Sequence, residues 1–230
     1  MRIAVIAAMQ KELRLLLQQI GDYREIEIDG FKAYEGRLGN HEILAAQCGI
    51  GKVNSALRTD AVIRKFNPDL VINSGVAGGV DESMKIGSVL VADRVAYHDV
   101  WCGPGTEYGA ADGCPLYFRP WNDGLALINK INFDGTNNFR FGLLCSGDKF
   151  IANPKEVIEI KSYFPEALGC DMESASIAQT CHKHAVPFMV IRVMSDMPGG
   201  GENISEYQNF WSVAPARTFE AVRQFILSLP

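Results

Sequence analysis

The sequence contains no apolar run approaching the roughly 20 residues that a bilayer-spanning helix requires. It also lacks a basic cluster: 22 Lys and Arg are scattered among 27 Asp and Glu, giving a net charge of -5. A membrane span and a nucleic-acid footprint are therefore not expected. Cysteine is sparse, and the six residues Cys48, Cys102, Cys114, Cys145, Cys170 and Cys181 are dispersed, mostly in apolar surroundings. They read as free thiols acting as small core residues. No zinc spacing is present. In "CHKH" (181 to 184) the two histidines point about 200° apart on a helix, since each residue turns about 100°, so no metal is expected. Repeats, low-complexity tracts and linkers are absent, and one domain over 1–230 is expected. The first residues, "MRIAVIAAMQKE", faintly resemble a leader peptide. The apolar run breaks early at Gln10, Lys11 and Glu12, so it reads as a buried first strand of a cytoplasmic protein.

Several chemical signatures are missing as well. "GIGK" (49 to 52) resembles the tail of a phosphate-binding loop, yet Ala46 and Val53 occupy positions where that motif needs glycine and a hydroxyl residue. "GVAGG" (75 to 79) lacks the dinucleotide spacing, and no serine nucleophile elbow exists. Both glycine segments read instead as places where backbone approaches a ligand or another element closely. No cofactor is expected.

What is present is an alternation of strands and helices. "RIAVIAA" (2 to 8) and "DLVINSG" (69 to 75) are continuous apolar runs of the type parallel sheets bury. "QKELRLLLQQI" is an amphipathic helix. "REIEI", "FKAYEGRL" and "HEILAAQ" form a meander punctuated by Asp-Gly and Gly-Asn turns. After a helix over 53–65, strands are expected at "GSVLVADRVAY", "RFGLLCSG", "ALGCDM" and "PFMVIRVMSD". Further helices are expected at "PKEVIEIKSYF", with Pro154 in its first turn, at "ESASIAQTCHKH" and at "APARTFEAVRQFILSL". The class is α/β with a mixed central sheet.

In such folds ligands collect beyond strand ends. Glu12, Glu173 and Asp196 each lie at or just past the end of an expected strand, far apart in sequence and potentially convergent. Taken singly, Glu12 and Glu173 also read as acids at helix N-termini, favoured by the dipole. "GCDMESASIA" (169 to 178) raises a sharper question, because it carries Asp171 and Glu173 to the edge of a core segment, where a charge needs a partner.

"AMQKE", "CGIGKVNSA", "NSGVAGG", "SGDKFI", "DMESASIA" and "RVMSD", in this order over essentially the whole chain, resemble the 5'-methylthioadenosine/S-adenosylhomocysteine nucleosidases of the purine nucleoside phosphorylase superfamily. The resemblance implies a three-layer α/β fold around a mixed, partly barrel-like sheet flanked by helices. It also implies a homodimer and hydrolysis of the bond between adenine and a 5'-thio-substituted ribose, with an adenine nucleoside as the small-molecule partner. By the same resemblance Glu12 is the general base for water, Asp196 the acid toward adenine N7, and Glu173 the acceptor for the ribose hydroxyls. Met9 and Met172 pack around the sugar, Phe150 stacks on adenine, Ile151 offers a backbone contact to the base, and Arg192 braces the ribose site. Ile50 and Val76, in the glycine segments, and Tyr207 are further substrate contacts. Glycosidic cleavage through an oxocarbenium-like state needs two carboxyls with opposite jobs: Asp196 protonated and Glu12 ionised.

The chain departs from the family pattern in places. Val76 stands where many members have a serine close to the catalytic aspartate, so hydroxyl support for Asp196 is absent or comes from Ser195. "HDVWCGPGTEYGAADGCP" matches only loosely the loop that a neighbouring subunit contributes, leaving Trp101 and Tyr108 as pocket lining or interface core. "MPGGGENISEYQNF" reads as a mobile lid closed by Tyr207 or Phe210, or as an ordinary loop. Three alternatives stay open at this point: phosphorolysis, hydrolysis of related nucleosides such as aminofutalosine, and a non-catalytic nucleoside-binding protein.

Overall fold

A computed structural model describes residues 1–131, 139–198, 203–213 and 216–230. Strand β1 (Arg2–Ala7) is buried from Ile3 onward. It lies between two parallel neighbours, β4 (His41–Gln47) and β5 (Leu70–Gly79). Such a strand has no solvent face, which explains its unbroken apolar run. On the β4 side the sheet continues antiparallel through β3 (Phe31–Leu38) to the edge strand β2 (Tyr23–Ile28). The β2–β3 turn is made by Asp29 and Gly30, both at positive φ, the conformation a two-residue hairpin needs.

On the β5 side the sheet curls. Strands β5, β8 (Ala167–Asp171), β7 (Phe139–Ser146), β6 (Val89–Tyr97) and β9 (Phe188–Asp196) pair in that order, and β9 pairs again with β5. Five of the nine strands among the described residues thus close into a barrel-like ring. The helices among the described residues are α1 (Gln10–Leu17), α2 (Lys52–Phe66), α3 (Asn122–Ile128), α4 (Pro154–Tyr163), α5 (Ser174–His184), α6 (Asn203–Val213) and α7 (Ala216–Ser228). Val62 and Phe66 of α2 share one core cluster with Ile177 and Cys181 of α5. Leu13 and Leu16 of α1 share another with Phe219, Val222 and Phe225 of α7. The sheet therefore separates two helical layers, as the three-layer expectation required. Helix α4 starts as expected: Pro154 occupies its first turn, and the Asn153 side chain caps the N–H groups of Lys155 and Glu156.

Three elements differ from the sequence expectation. Strand β5 does not stop at Gly75 but runs through Gly79, in parallel register with β9, so "GVAGG" is strand rather than loop. Helix α3 was not expected from the sequence; Gly124 packs against Trp121 and Met189, and Leu125, Leu127 and Ile128 join the core cluster that includes α7. Part of the expected lid, 203–210, lies on helix α6, while 199–202 lie outside the described residues. Phe210 is buried in the core rather than facing the cleft.

Candidate active site

Glu12 sits in the first turn of α1. Its Oε2 accepts a hydrogen bond from the Met9 N–H at 2.8 Å, the reach-back of a helix-capping carboxylate. Its Oε1 accepts from the Val76 N–H on β5 at 3.1 Å. The helix-terminus role is thus real, but a surface acid would satisfy it equally well, whereas Glu12 is only 1% exposed. Burial pushes its pKa above the ordinary carboxylate value, against the opposing pull of Arg192 and the backbone donors. A buried carboxylate held by two fixed N–H groups is chemically able to accept a proton.

Arg192 of β9 is 1% exposed and stands at the centre of the charge network. Its Nη2 lies 2.7 Å from Asp171 Oδ2 and 3.6 Å from Glu173 Oε2, and donates to Asn73 Oδ1 at 2.8 Å. Burial alone would disfavour its charge, but Asp171, Glu173 and Glu12 outweigh that cost and hold it above the usual guanidinium value. Gly75, at positive φ, leaves the space in which this network fits. A Cβ there would lie 2.3 Å from Arg192 Nη1 and 2.6 Å from Glu12 Oε1. The guanidinium and the carboxylate therefore approach each other beside this residue.

Glu173, 4% exposed, links the network to α2, whose leading Gly51 N–H donates to its Oε1 at 3.1 Å. Burial first, and the nearby Asp171 charge second, push its pKa from an ordinary value near 4.5 up to about 7. An acid whose pKa is higher folded than unfolded stabilises the fold below about pH 4.5, and that contribution is lost as the pH rises through about 7. Glu173→Gln is accordingly expected to flatten the fall in Tm between about pH 4.5 and 7. Melting curves across that range check this, and an unchanged slope would refute it.

Asp196 ends β9 and is 2% exposed. The β5–β9 register steps from Ala77↔Met194 to Gly78↔Asp196, so Ser195 is the extra residue of a β-bulge. Adjacent side chains on a regular strand point to opposite faces, and a bulge re-aims them. Here it brings the Ser195 Oγ within 2.6 Å of Asp196 Oδ1. The hydroxyl that Val76 cannot supply comes from the neighbouring residue.

These acids open onto one cleft, partly open to solvent. Met9, Ile50, Val76, Phe150, Ile151, Met172 and Tyr207 also line it, so all eleven candidate residues share one cavity. Phe150 stands at its mouth, 44% exposed, edge-on to Tyr207 with ring centroids 5.7 Å apart. Tyr207 donates to the Met9 sulfur at 3.3 Å. Lys149 and Arg192 are the lysine and arginine lining the cleft. Arg192 is taken by its carboxylates, and Lys149 pairs with Glu156 at 2.8 Å.

The phosphorylase superfamily model matches residues 2–227. A 5'-methylthioadenosine/S-adenosylhomocysteine nucleosidase of Staphylococcus haemolyticus is 39% identical, with 97% of this chain and 98% of that protein covered. The chain belongs to this family of nucleosidases. The Lysinibacillus sphaericus nucleosidase is 36% identical over the full length of both chains. The solved nucleosidase from S. pneumoniae with a transition-state inhibitor superposes with a TM-score of 0.95 at 36% identity, both chains fully covered. The Neisseria meningitidis nucleosidase, in complex with methylthio-immucillin-A, gives 0.94 at 35% identity, with 99% of each chain covered.

In this nucleosidase several cleft residues escaped the sequence reading: Ala8, Gly78, Lys149, Cys170 and Asp171. Asp171 carried a visible signal, an acid at the end of an apolar strand, but its partner Arg192 lies 21 positions away and is found only by folding. Trp101 and Tyr108 are not among the cleft-lining residues. Tyr108 stacks on Tyr163 at 3.8 Å and donates to the His98 carbonyl, while Trp101 is exposed. His184 pairs with Asp60 at 2.7 Å.

Proposed function

We propose that the cleft binds 5'-methylthioadenosine and S-adenosylhomocysteine and hydrolyses their N-glycosidic bond, with Asp196 and Glu12 as the working pair. The chain is an N-glycosyl hydrolase. In this reading Asp196 gives a proton to adenine N7, and the C1'–N9 electrons leave with the base. Water then bonds to C1' of the oxocarbenium-like sugar while Glu12 takes its proton. Glu173 accepts hydrogen bonds from the ribose hydroxyls, so the sugar satisfies a carboxylate whose burial is otherwise costly. Phe150 stacks on adenine, Ile151 meets the base through its backbone, and Met9, Met172, Val76 and Tyr207 enclose the sugar. The observation that carries the reading is convergence: Glu12, Glu173 and Asp196 come from distant segments, and each is at most 4% exposed on one cavity.

Phosphate is disfavoured as the nucleophile. A dianion needs unpaired cationic donors, yet Arg192 and Lys149 are both ion-paired, and Glu12 would repel it. Homodimerisation and a cytoplasmic location belong to the same proposal. Ile50, at the cleft edge, and Val53 and Leu57, on α2, are exposed apolar side chains that suit such an interface. The test is product analysis of 5'-methylthioadenosine and inosine incubations with and without phosphate. Adenine and methylthioribose formed at a rate independent of phosphate are expected. A sugar phosphate, or no turnover, would refute the proposal.

A further inference from the structure

Asp171 is the buried acid that this mechanism leaves unused. Its side chain ends β8 and accepts from the Ser146 and Ser174 hydroxyls and from the Ser174 N–H. Arg192 Nη2 completes its shell at 2.7 Å. The same guanidinium donates through Nε and Nη2 to Ser174 Oγ, at 3.3 and 3.2 Å. Every one of these contacts draws Arg192 toward the β8–α5 junction. On its other side Arg192 Nη1 faces Glu12 beside Gly75 and donates only long bonds, at 3.4 Å, to the Ser74 and Val76 carbonyls; the ion pairs within 4.0 Å are with Asp171 at 2.7 Å and Glu173 at 3.6 Å, not with Glu12.

We infer that Asp171 is a positioning residue: it anchors Arg192 at the β8–α5 junction and so keeps the guanidinium from closing on Glu12 and quenching it as a base. The inference rests on Glu12 being that base. Three carboxylates, Asp171, Glu173 and Glu12, share one buried cation, and the geometry assigns it first to Asp171. The groups acting electrostatically on Glu12 and Arg192 are Glu173, Asp171 and the Cys48 thiol, with Lys11 and Tyr207 on the solvent side. Those acting with Asp171 are Arg192, Glu173, His98 and the Cys145 and Cys170 thiols. Neutralising Asp171 frees Arg192 to pair with Glu12. An opposite charge at that range lowers a carboxylate by about one to three pH units.

The test compares pH profiles of kcat/KM for the wild type, Asp171→Asn and Asp171→Glu with 5'-methylthioadenosine. Asp171→Asn is expected to move the acid limb down by about one pH unit. Its plateau kcat should fall about tenfold or more, with KM little changed, and Asp171→Glu should return the limb to its place. A lowered kcat with an unmoved limb would mean that Asp171 only braces the fold, and would overturn the inference. If Asp171→Asn does not fold, Asp171→Asn/Arg192→Gln decides. This variant removes both charges of the Asp171–Arg192 pair together, and because Arg192 no longer lowers the Glu12 pKa its acid limb should lie above the wild-type position. Failure to fold, or a wild-type limb, would overturn the inference. Glu12→Gln run in parallel separates the two claims: full activity there removes the base itself, whereas an inactive Glu12→Gln beside an unmoved Asp171→Asn limb removes only the role of Asp171.

Discussion

Glu12→Gln is expected to bind 5'-methylthioadenosine and to lose turnover by about 10²- to 10⁴-fold, the range a positioned general base supplies. The amide has the shape of the carboxylate, so the cleft keeps its form. It cannot take a proton from water, and it cannot accept from both the Met9 and Val76 N–H groups that hold Glu12 at 2.8 and 3.1 Å. One of these donors then faces an NH₂ group, a loss of about 1 to 3 kcal/mol if it stays buried and unpaired. The expected signature is therefore a collapsed kcat, a retained affinity and a modest drop in Tm. Steady-state kinetics with calorimetric binding separate these quantities. Turnover within tenfold of the wild type would remove Glu12 from the chemistry.

Gly75→Ala is expected to damage both the fold and the activity, although it adds one methyl group to a residue with no chemistry of its own. The methyl would lie 2.3 Å from Arg192 Nη1 and 2.6 Å from Glu12 Oε1, at a backbone φ of +149°. Arg192 cannot simply retreat, because Asp171 and Asn73 hold its Nη2 at 2.7 and 2.8 Å. Overpacking of this kind costs about 1 to 3 kcal/mol. A displacement of about 1 Å among catalytic groups costs about 100-fold in rate. Denaturant titration and kcat measure the two effects. Gly21→Ala is the control: its added Cβ meets nothing within 4 Å, and a change within about 0.5 kcal/mol is expected. Equal behaviour of the two variants would show that the space at Gly75 is not what the network depends on.

The legible parts of the fold are those whose local pattern coincides with their packing. β1 is buried on both faces and reads as an unbroken apolar run. The Asp29-Gly30 turn needs positive φ and carries residues that tolerate it. The first turn of α4 carries Pro154, after a capping Asn153. What stayed hidden depends on contacts across the chain. β5 continues past Gly75 because β9 pairs with it through Gly78, so glycines that look like a loop are strand residues with neighbours pressed against them. In the site, Glu12, Glu173 and Asp196 were legible as acids at strand ends, whereas Met9, Phe150, Ile151, Met172 and Arg192 came only from the family resemblance. The Ser195 bulge was not legible, because a register shift leaves no mark in one strand alone. Asp171 was visible as an anomaly without its explanation, since a buried acid announces the need for a cation but not which cation meets it.

The central claim is that water, activated by Glu12, takes the place of adenine at C1'. Turnover of 5'-methylthioadenosine in ¹⁸O-labelled water with phosphate also present, followed by mass spectrometry of the sugar product, tests it most directly. The account predicts methylthioribose with one labelled oxygen at C1 and no phosphorylated sugar. A 1-phosphate product, or a sugar whose C1 oxygen carries no solvent label under conditions that exclude exchange, would contradict it.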